Sequence, residues 1–579
     1  MTLQHHLFTT FSAALLAGLL AACGTAQETQ KEPHTQGMTG VEADAILEET
    51  EALPGRKPIS KQRLESRAQM DAQAPSGYSP APLVMESRKL WSAADIRTPS
   101  AQVDREKYGE LKENGISSVQ TSPVSTFSVD VDSGAYALVR RFLNQGRLPP
   151  SDVVRSEELI NYFDYRYPAP ADGEHPFTLI TEVGPTPWNA DTRLVHVGIR
   201  GVSTPADQRP AANLVFLIDV SGSMSDQTKL PLLKSAFKLL LQQLNQRDRV
   251  SLVVYAGASG VVLPPTPGNQ RAKILTALEQ LNAGGSTHGS AGIRLAYEMA
   301  EQERIEGGIN RVILATDGDF NVGTVDHRRL LELIEQQRQR GVSLTTLGFG
   351  QGNYNDHLME QLADKGNGNY AYIDTINEAR KVLVDELSAT LETIAKDVKI
   401  QIEWNPDVVA EYRLIGYENR LLAREDFSND KVDAGDIGAG HTVTALYEIA
   451  LSNGPGRRLS PLRYGMKKAI DGQQRELAYL KLRYKLPDGE RSRLIEQPVL
   501  TEAIQRRLSD TSDNYRFSAA VAGFSQLLRG GRYTESFDYD EAAGLANGAR
   551  GGDRFGYRGE FIRLVRLAEA LANPLTLKE

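Results

Sequence analysis

Asn213-Leu-Val-Phe-Leu-Ile-Asp219-Val-Ser221-Gly-Ser223 is the stretch on which the reading of this chain turns. The short continuous apolar run that follows Asn213 is the pattern of a strand covered on both faces. From Lys229 onward, Leu230, Leu233, Phe237, Leu240, Leu241 and Leu244 recur at helical spacing. A strand-to-helix turn between them would present one carboxylate and two hydroxyls at the carboxyl end of a strand. Open α/β sheets keep their ligand sites there. All three side chains are hard oxygen donors. They suit Mg²⁺, with six ligands at about 2.1 Å, or Mn²⁺ better than Zn²⁺.

Two later elements would complete such a site. Gly284-Gly-Ser-Thr287-His288-Gly289 opens an amphipathic helix through Ile293, Tyr297 and Met299, which puts Thr287 at a helix start. Arg311-Val-Ile-Leu-Ala-Thr316-Asp317-Gly318 is a second buried strand ending in a carboxylate. Taken in order, Asp-x-Ser-x-Ser, a Thr in a Gly-rich turn, and Thr-Asp-Gly resemble the metal-ion-dependent adhesion site of von Willebrand factor type A (VWA) domains. The resemblance covers about residues 210–395 and implies a doubly wound, mostly parallel, Rossmann-like sheet.

It also implies roles. Ser221 and Ser223 would ligate the metal through their hydroxyls, and Thr287 directly in one state and through water in another. Asp219 and Asp317 would hold coordinated water and hydroxyls from behind. One position would remain for a Glu or Asp carboxylate from a protein partner. Mg²⁺ is the expected ion, with Mn²⁺ or Ca²⁺ as alternatives. His288 departs from the Asn expected there and reads as a solvated side chain at a helix start. Asp319 reads as a turn carboxylate capping its own backbone.

The first 22 residues contain no Lys, Arg, Asp or Glu. The apolar run over residues 7–22 is shorter than the roughly 20 residues a spanning helix needs. It ends in Leu20-Ala-Ala-Cys23, whose cysteine is the only one in the chain. This resembles a bacterial lipoprotein signal, in which Cys23 is lipidated and becomes the mature N-terminus. A positive n-region is missing. Gly24 after the cysteine favours, by resemblance, the outer membrane, on its periplasmic face or the cell surface. With one cysteine no intramolecular disulfide can form. Residues 23–103 are poor in aromatics and rich in Gln, Glu, Ala and Pro, a composition that cannot offset ordering entropy. They read as a tether with a root-mean-square reach on the order of 50 Å, with a transient helix over residues 41–53.

The organisation expected is a signal peptide (1–22), a tether (23–103), an N-terminal flank of helices then strands (104–209), the VWA domain (210–395), a β-rich domain (396–500) and a helical C-terminal region (501–579). Residues 125–130 read as a strand, and Asp132-Ser133 as the cap of a helix carrying Tyr136, Val139, Phe142 and Leu143. Asp130 and Asp132 invite a calcium-loop reading, but the third acidic position and the Gly-then-Glu spacing are missing. Glu157-Glu-Leu-Ile-Asn161 and Tyr412-Arg-Leu-Ile-Gly-Tyr-Glu-Asn-Arg420 resemble the flanking regions of bacterial lipoproteins of this group. Residues 177–183, 193–200, 398–404, 441–451 and 477–484 alternate apolar and polar positions, as half-buried antiparallel strands do. Strands from both flanks are expected to pair into one sandwich with the VWA domain inserted in it. The alternative is two β units in series. Residues 515–528 and 560–571 read as helices, separated by a Gly-rich, charged loop around 542–553, and are expected to pack on the sandwich.

Formal net charge is −9, and no basic cluster interleaves with aromatics, which argues against nucleic-acid binding. Phosphate-binding, zinc-protease and nucleophile-elbow motifs do not occur. Ser223 has no evident base partner, so it reads as a ligand rather than a nucleophile, and no enzymatic activity is expected. The leading expectation is a membrane-tethered, metal-dependent protein-binding module. The alternatives are an envelope assembly factor whose metal serves folding alone, and a metal-assisted hydrolase, which would need a general base.

Overall fold

The computed structural model describes residues 105–171, 175–205, 207–287, 289–318, 320, 324–460 and 475–573. The signal segment, Cys23, the tether with its transient helix, His288 and Asp319 lie outside the described residues.

The apolar runs at 212–219 and 309–316 become neighbouring central strands. In spatial order the sheet contains Tyr370–Ile373, Ser343–Phe349, Ile309–Thr316, Ala212–Asp219, Arg249–Tyr255 and Ser259–Pro267. The first five are parallel, and the last is an antiparallel edge strand. Strand Ala212–Asp219 is apolar on both faces because each face meets helices. Leu214, Phe216 and Ile218 pack with Leu233 and Phe237 of helix Leu230–Leu240. Val215 and Leu217 pack with Ile293 and Tyr297 of helix Gly289–Gln302. The chain runs from Ala212–Asp219 to Arg249–Tyr255 on one side and later returns to Ile309–Thr316 on the other. The strand order therefore reverses between Ala212–Asp219 and Ile309–Thr316, and their carboxyl ends bound a crevice.

Strands from both flanks interleave around this inserted domain. Thr442–Leu451 lies between Asn189–Gly201 and Val409–Ile415. Val124–Ser128 pairs with Thr393–Trp404, which pairs on its other side with Glu476–Lys485. One apolar cluster joins the two sheets, with Val195, Val197 and Tyr447 from one and Phe127, Ile400, Ile402 and Leu480 from the other. The flanks thus build one two-sheet body, not two units in series.

Three local expectations need correction. Thr442–Leu451 is not half-buried, since all but its end residues are shielded from solvent. Its second face is covered by the helices, with Leu194 and Leu446 in the helical core. Polar groups on that face are paired: the Tyr167 hydroxyl lies 2.9 Å from His196 Nε2 and 2.7 Å from Thr444 Oγ1. Second, neither Asp132 nor Ser133 caps helix Gly134–Asn144. Asp132 instead accepts from the Tyr370 N–H at 2.8 Å, and Glu158 accepts from the helix N-terminal Ala135 N–H at 2.7 Å. The carboxylate that serves this helix end comes from a segment 23 residues on. Third, the loop expected around 542–553 is largely helix Tyr539–Gly548. Asp538 and Glu541 form a reciprocal capping box. Burial of Ala542, Ala543 and Ala546 against the neighbouring helices outweighs the cost of Gly544 and Gly548.

Candidate functional site

Strand Ala212–Asp219 delivers Asp219, fully buried, to the crevice. Asp219 Oδ1 accepts from the Ser221 N–H at 2.8 Å, which bends the chain out of the strand. A single helical turn, Gly222–Ser225, follows and is pinned by the buried Met224 side chain. Asp219 Oδ2 accepts from Thr316 Oγ1 at 3.0 Å and from the Tyr255 hydroxyl at 3.2 Å. Both oxygens are thus oriented by donors from three different strands or turns. Burial pushes the Asp219 carboxyl above its ordinary range, and the hydrogen bonds from Ser221 pull it back. Burial likewise pushes the Tyr255 phenol well up, so it stays a neutral donor.

The hydroxyls of Ser221 and Ser223 sit 3.0 Å apart. Ser221 is buried and Ser223 is exposed, so the pair faces outward at the mouth of the crevice. The glycine-rich loop is stitched to this turn: Gly284 N–H donates to Val220 O at 2.7 Å and Gly222 N–H to Gly285 O at 3.0 Å. Half-buried Thr287 lies in that loop, two residues before helix Gly289–Gln302. Asp317 follows strand Ile309–Thr316 directly and is fully buried. Its Oδ2 accepts from Lys229 Nζ at 2.8 Å.

These residues fit a small, hard divalent ion. Ser221 and Ser223 present two hard oxygen donors side by side, their hydroxyls hydrogen-bonded to each other at 3.0 Å, and a hard divalent ion would take such oxygens as ligands. Among the described residues no group of three or more His, Cys, Asp or Glu side chains gathers into a metal cage. Asp219, Ser221, Ser223 and Asp317 meet at two adjacent strand ends, and the loop bearing Thr287 is bonded to the same turn. Sequence reasoning missed Tyr255, Thr316 and Lys229. Thr316 stood inside a quoted motif without a role. Tyr255 carried a readable signal only once its strand was known to pair in register with Asp219.

Comparison with known proteins agrees with this architecture. The model for the von Willebrand factor type A domain matches residues 213–385. A model described as von Willebrand factor matches 102–196, and one described as Uncharacterized protein YfbK, C-terminal, matches 389–571. Uncharacterized protein YfbK of Escherichia coli K12 is 46% identical over 475 residues, covering 81% of this chain and 82% of the relative. The chain belongs to the YfbK-like family of VWA-domain proteins. Uncharacterized protein sll0103 of Synechocystis is 29% identical over 187 residues, 32% of this chain and 43% of its own length. Among solved structures, a von Willebrand factor type A protein from Catenulispora acidiphila covers 70% of this chain and 91% of its own at 16% identity, with a TM-score of 0.39. In this YfbK-like chain the VWA model ends at residue 385 and the C-terminal model begins at 389. The short helix Leu387–Leu391 straddles the start of the C-terminal match, after which strand Thr393–Trp404 re-enters the flanking sheets.

Proposed function

We propose that this VWA-domain protein is a membrane-tethered, divalent-metal-dependent protein-binding module of the cell envelope. The observation that carries the reading is the Ser221–Ser223 hydroxyl pair, 3.0 Å apart at the crevice mouth. Asp219 is locked behind it by three donors. Ser221, Ser223 and Thr287 would hold the ion, and Asp219 and Asp317 would orient its shell from behind. The ion, Mg²⁺ by the hard oxygen character of these donors, would supply the positive centre that a Glu or Asp of a protein partner meets. Exposed Ser223 leaves that side open to a partner. Ser223 shares its hydroxyl bond with Ser221 rather than with a His or carboxylate, which supports a ligand and not a nucleophile. Anchoring through acylated Cys23, at the periplasmic face of the outer membrane or the cell surface, is supported by Leu20-Ala-Ala-Cys23.

A pull-down from detergent-solubilised envelope, run with Mg²⁺ and with chelator beside a melting curve, tests the reading. Partner capture lost on chelation while melting is kept supports it. A melting transition lost with the metal makes the ion a folding element, and capture indifferent to chelator removes metal dependence altogether.

A further inference from the structure

At the end of the central sheet opposite the crevice, the amino ends of the strands border a second cleft of about 430 Å³. Small-molecule sites span roughly 300–1,000 Å³ and favour junctions between domains. Here one wall is the inserted domain and the other is the flanking body. The walls carry opposite charge. Arg304, Arg311 and Arg338 line the cleft from the inserted domain. Glu392, Asp436 and Asp488 line it from the flank, with Lys396 as that wall's one cation. Among the described residues none of these charges forms an ion pair with another. The carboxylates that Arg338 meets, Asp433 and Glu335, do not line the cleft.

Arg311 decides the chemistry. It stands on central strand Ile309–Thr316 and is 2% exposed. Nη1 donates to Thr345 Oγ1 at 2.6 Å and Nη2 to the Leu391 carbonyl at 3.3 Å. Both acceptors are neutral, and a guanidinium has five N–H donors to place. Burial pushes this one down to about 10. On the flank wall, Glu392 Oε1 accepts from Thr204 Oγ1 at 2.9 Å, while Oε2 is buried with no hydrogen-bond partner among the described residues. Burial pushes Asp436 up to about 7. A buried charge without a counter-charge destabilises the fold unless something else enters to neutralise it. An interface selected for stability alone would pair these groups across the cleft; this one holds them apart.

We propose that the cleft is a second ligand site, for a zwitterion: an amino acid or short peptide whose carboxylate meets Arg311 and whose ammonium meets the carboxylates of the flank wall. Arg311 supplies the planar fork that suits a carboxylate. Glu392 and Asp436 supply the acceptors that an ammonium needs. The site lies at the far end of the strands from Asp219 and Asp317 and does not depend on a metal there.

Calorimetric titration of the full-length protein with alanine, dialanine and trialanine tests this. The protein is first dialysed free of divalent metal, so that the crevice cannot supply the carboxylate contact. The expectation is saturable binding of at least one of the three, and their ranking separates a free amino acid from a peptide as the occupant. The N-acetylated form of the best binder lacks the ammonium, and its amide lacks the carboxylate. Each should bind about tenfold more weakly or worse, the size of a lost charged hydrogen bond. Arg311→Met should weaken the parent ligand by a similar factor. Should that variant fold poorly, the two edited ligands decide the matter on wild type alone. No binding of any of the three at millimolar concentration overturns the site. An acetylated form as tight as the parent makes the cleft a plain anion site, and an amide as tight as the parent makes it a plain cation site; either overturns the zwitterion. Affinity unchanged in folded Arg311→Met puts the ligand elsewhere and overturns the assignment.

Discussion

Replacing Arg155 with Met should cost about 3–5 kcal/mol, the usual loss when one partner of a buried ion pair is removed. Arg155 is the pin between the N-terminal flank and the inserted domain. Its guanidinium, 1% exposed, donates to both oxygens of Asp356 at 2.6 and 3.2 Å, and Nε donates to Glu158. Glu360 lies 3.9 Å away. Asp356 and Glu360 belong to helix Asp356–Lys365, whereas Glu158 belongs to helix Ser156–Asn161. Met fills similar space, so most of the loss is the burden of carboxylates left without their cation. Burial already pushes Glu158 up, and pushes Glu360 up to about 8, with Arg155 pulling both down. Without Arg155 both should rise further. A carboxyl raised above its unfolded value of about 4.3 contributes stability fully present below that pH and lost as pH rises through the folded value. The deficit of Arg155→Met should therefore shrink between pH 8 and pH 5. Urea unfolding followed by circular dichroism at both pH values measures it. A loss under about 1 kcal/mol, or one equal at the two pH values, refutes the reasoning.

Thr287→Ala should weaken partner binding much more than Mg²⁺ binding or folding, since its bond would exchange between direct and water-mediated as the partner arrives; parallel small losses would count against the adhesion reading. Cys23→Ser should move the protein out of the membrane fraction, because each buried CH₂ of an acyl chain contributes about 0.8 kcal/mol; a variant still recovered with membranes would mean another anchor. His196, buried against Tyr167, has its imidazole pushed down to about 4 by burial. It folds neutral and charges when unfolded, so its contribution is complete above about pH 6.5 and fades toward pH 4, by about 2 kcal/mol between pH 7 and pH 5. His196→Gln should flatten the acid slope of stability by that amount, and an unchanged slope would show that the ring is solvated.

How much was legible in the chain depended on how local the physics was. Asp219, Ser221 and Ser223 are read directly because a turn after a buried strand puts consecutive residues together. Asp317 follows from the same logic one strand over. Tyr255, Thr316 and Lys229 were opaque because their roles depend on which strand neighbours which and on where a long side chain ends. The expectation for Thr442–Leu451 failed because alternation reports one buried face, and a second layer of helices can cover the other. Glu448 and Arg413, polar in sequence, sit on covered faces because they are paired there: with each other at 2.9 Å, Glu448 also accepting from Trp188 and Thr192, and Arg413 also donating to Gln526. The capping expectation at Asp132 failed for a similar reason: a nearby helix end competes with any donor the fold brings close, and Tyr370 N–H took the carboxylate. The helix Tyr539–Gly548 was hidden by its glycines, whose propensity cost is visible while the burial of its alanine face is not.

The most direct test is a calorimetric Mg²⁺ titration of wild type and of Asp219→Ala. Asp219 holds Ser221 through its backbone and is itself oriented by Thr316 and Tyr255. Losing it should cost at least about tenfold in metal affinity, as loss of groups that orient ligands does. The account predicts saturable binding in wild type and that weakening in the variant; equal affinities in the two proteins would contradict it.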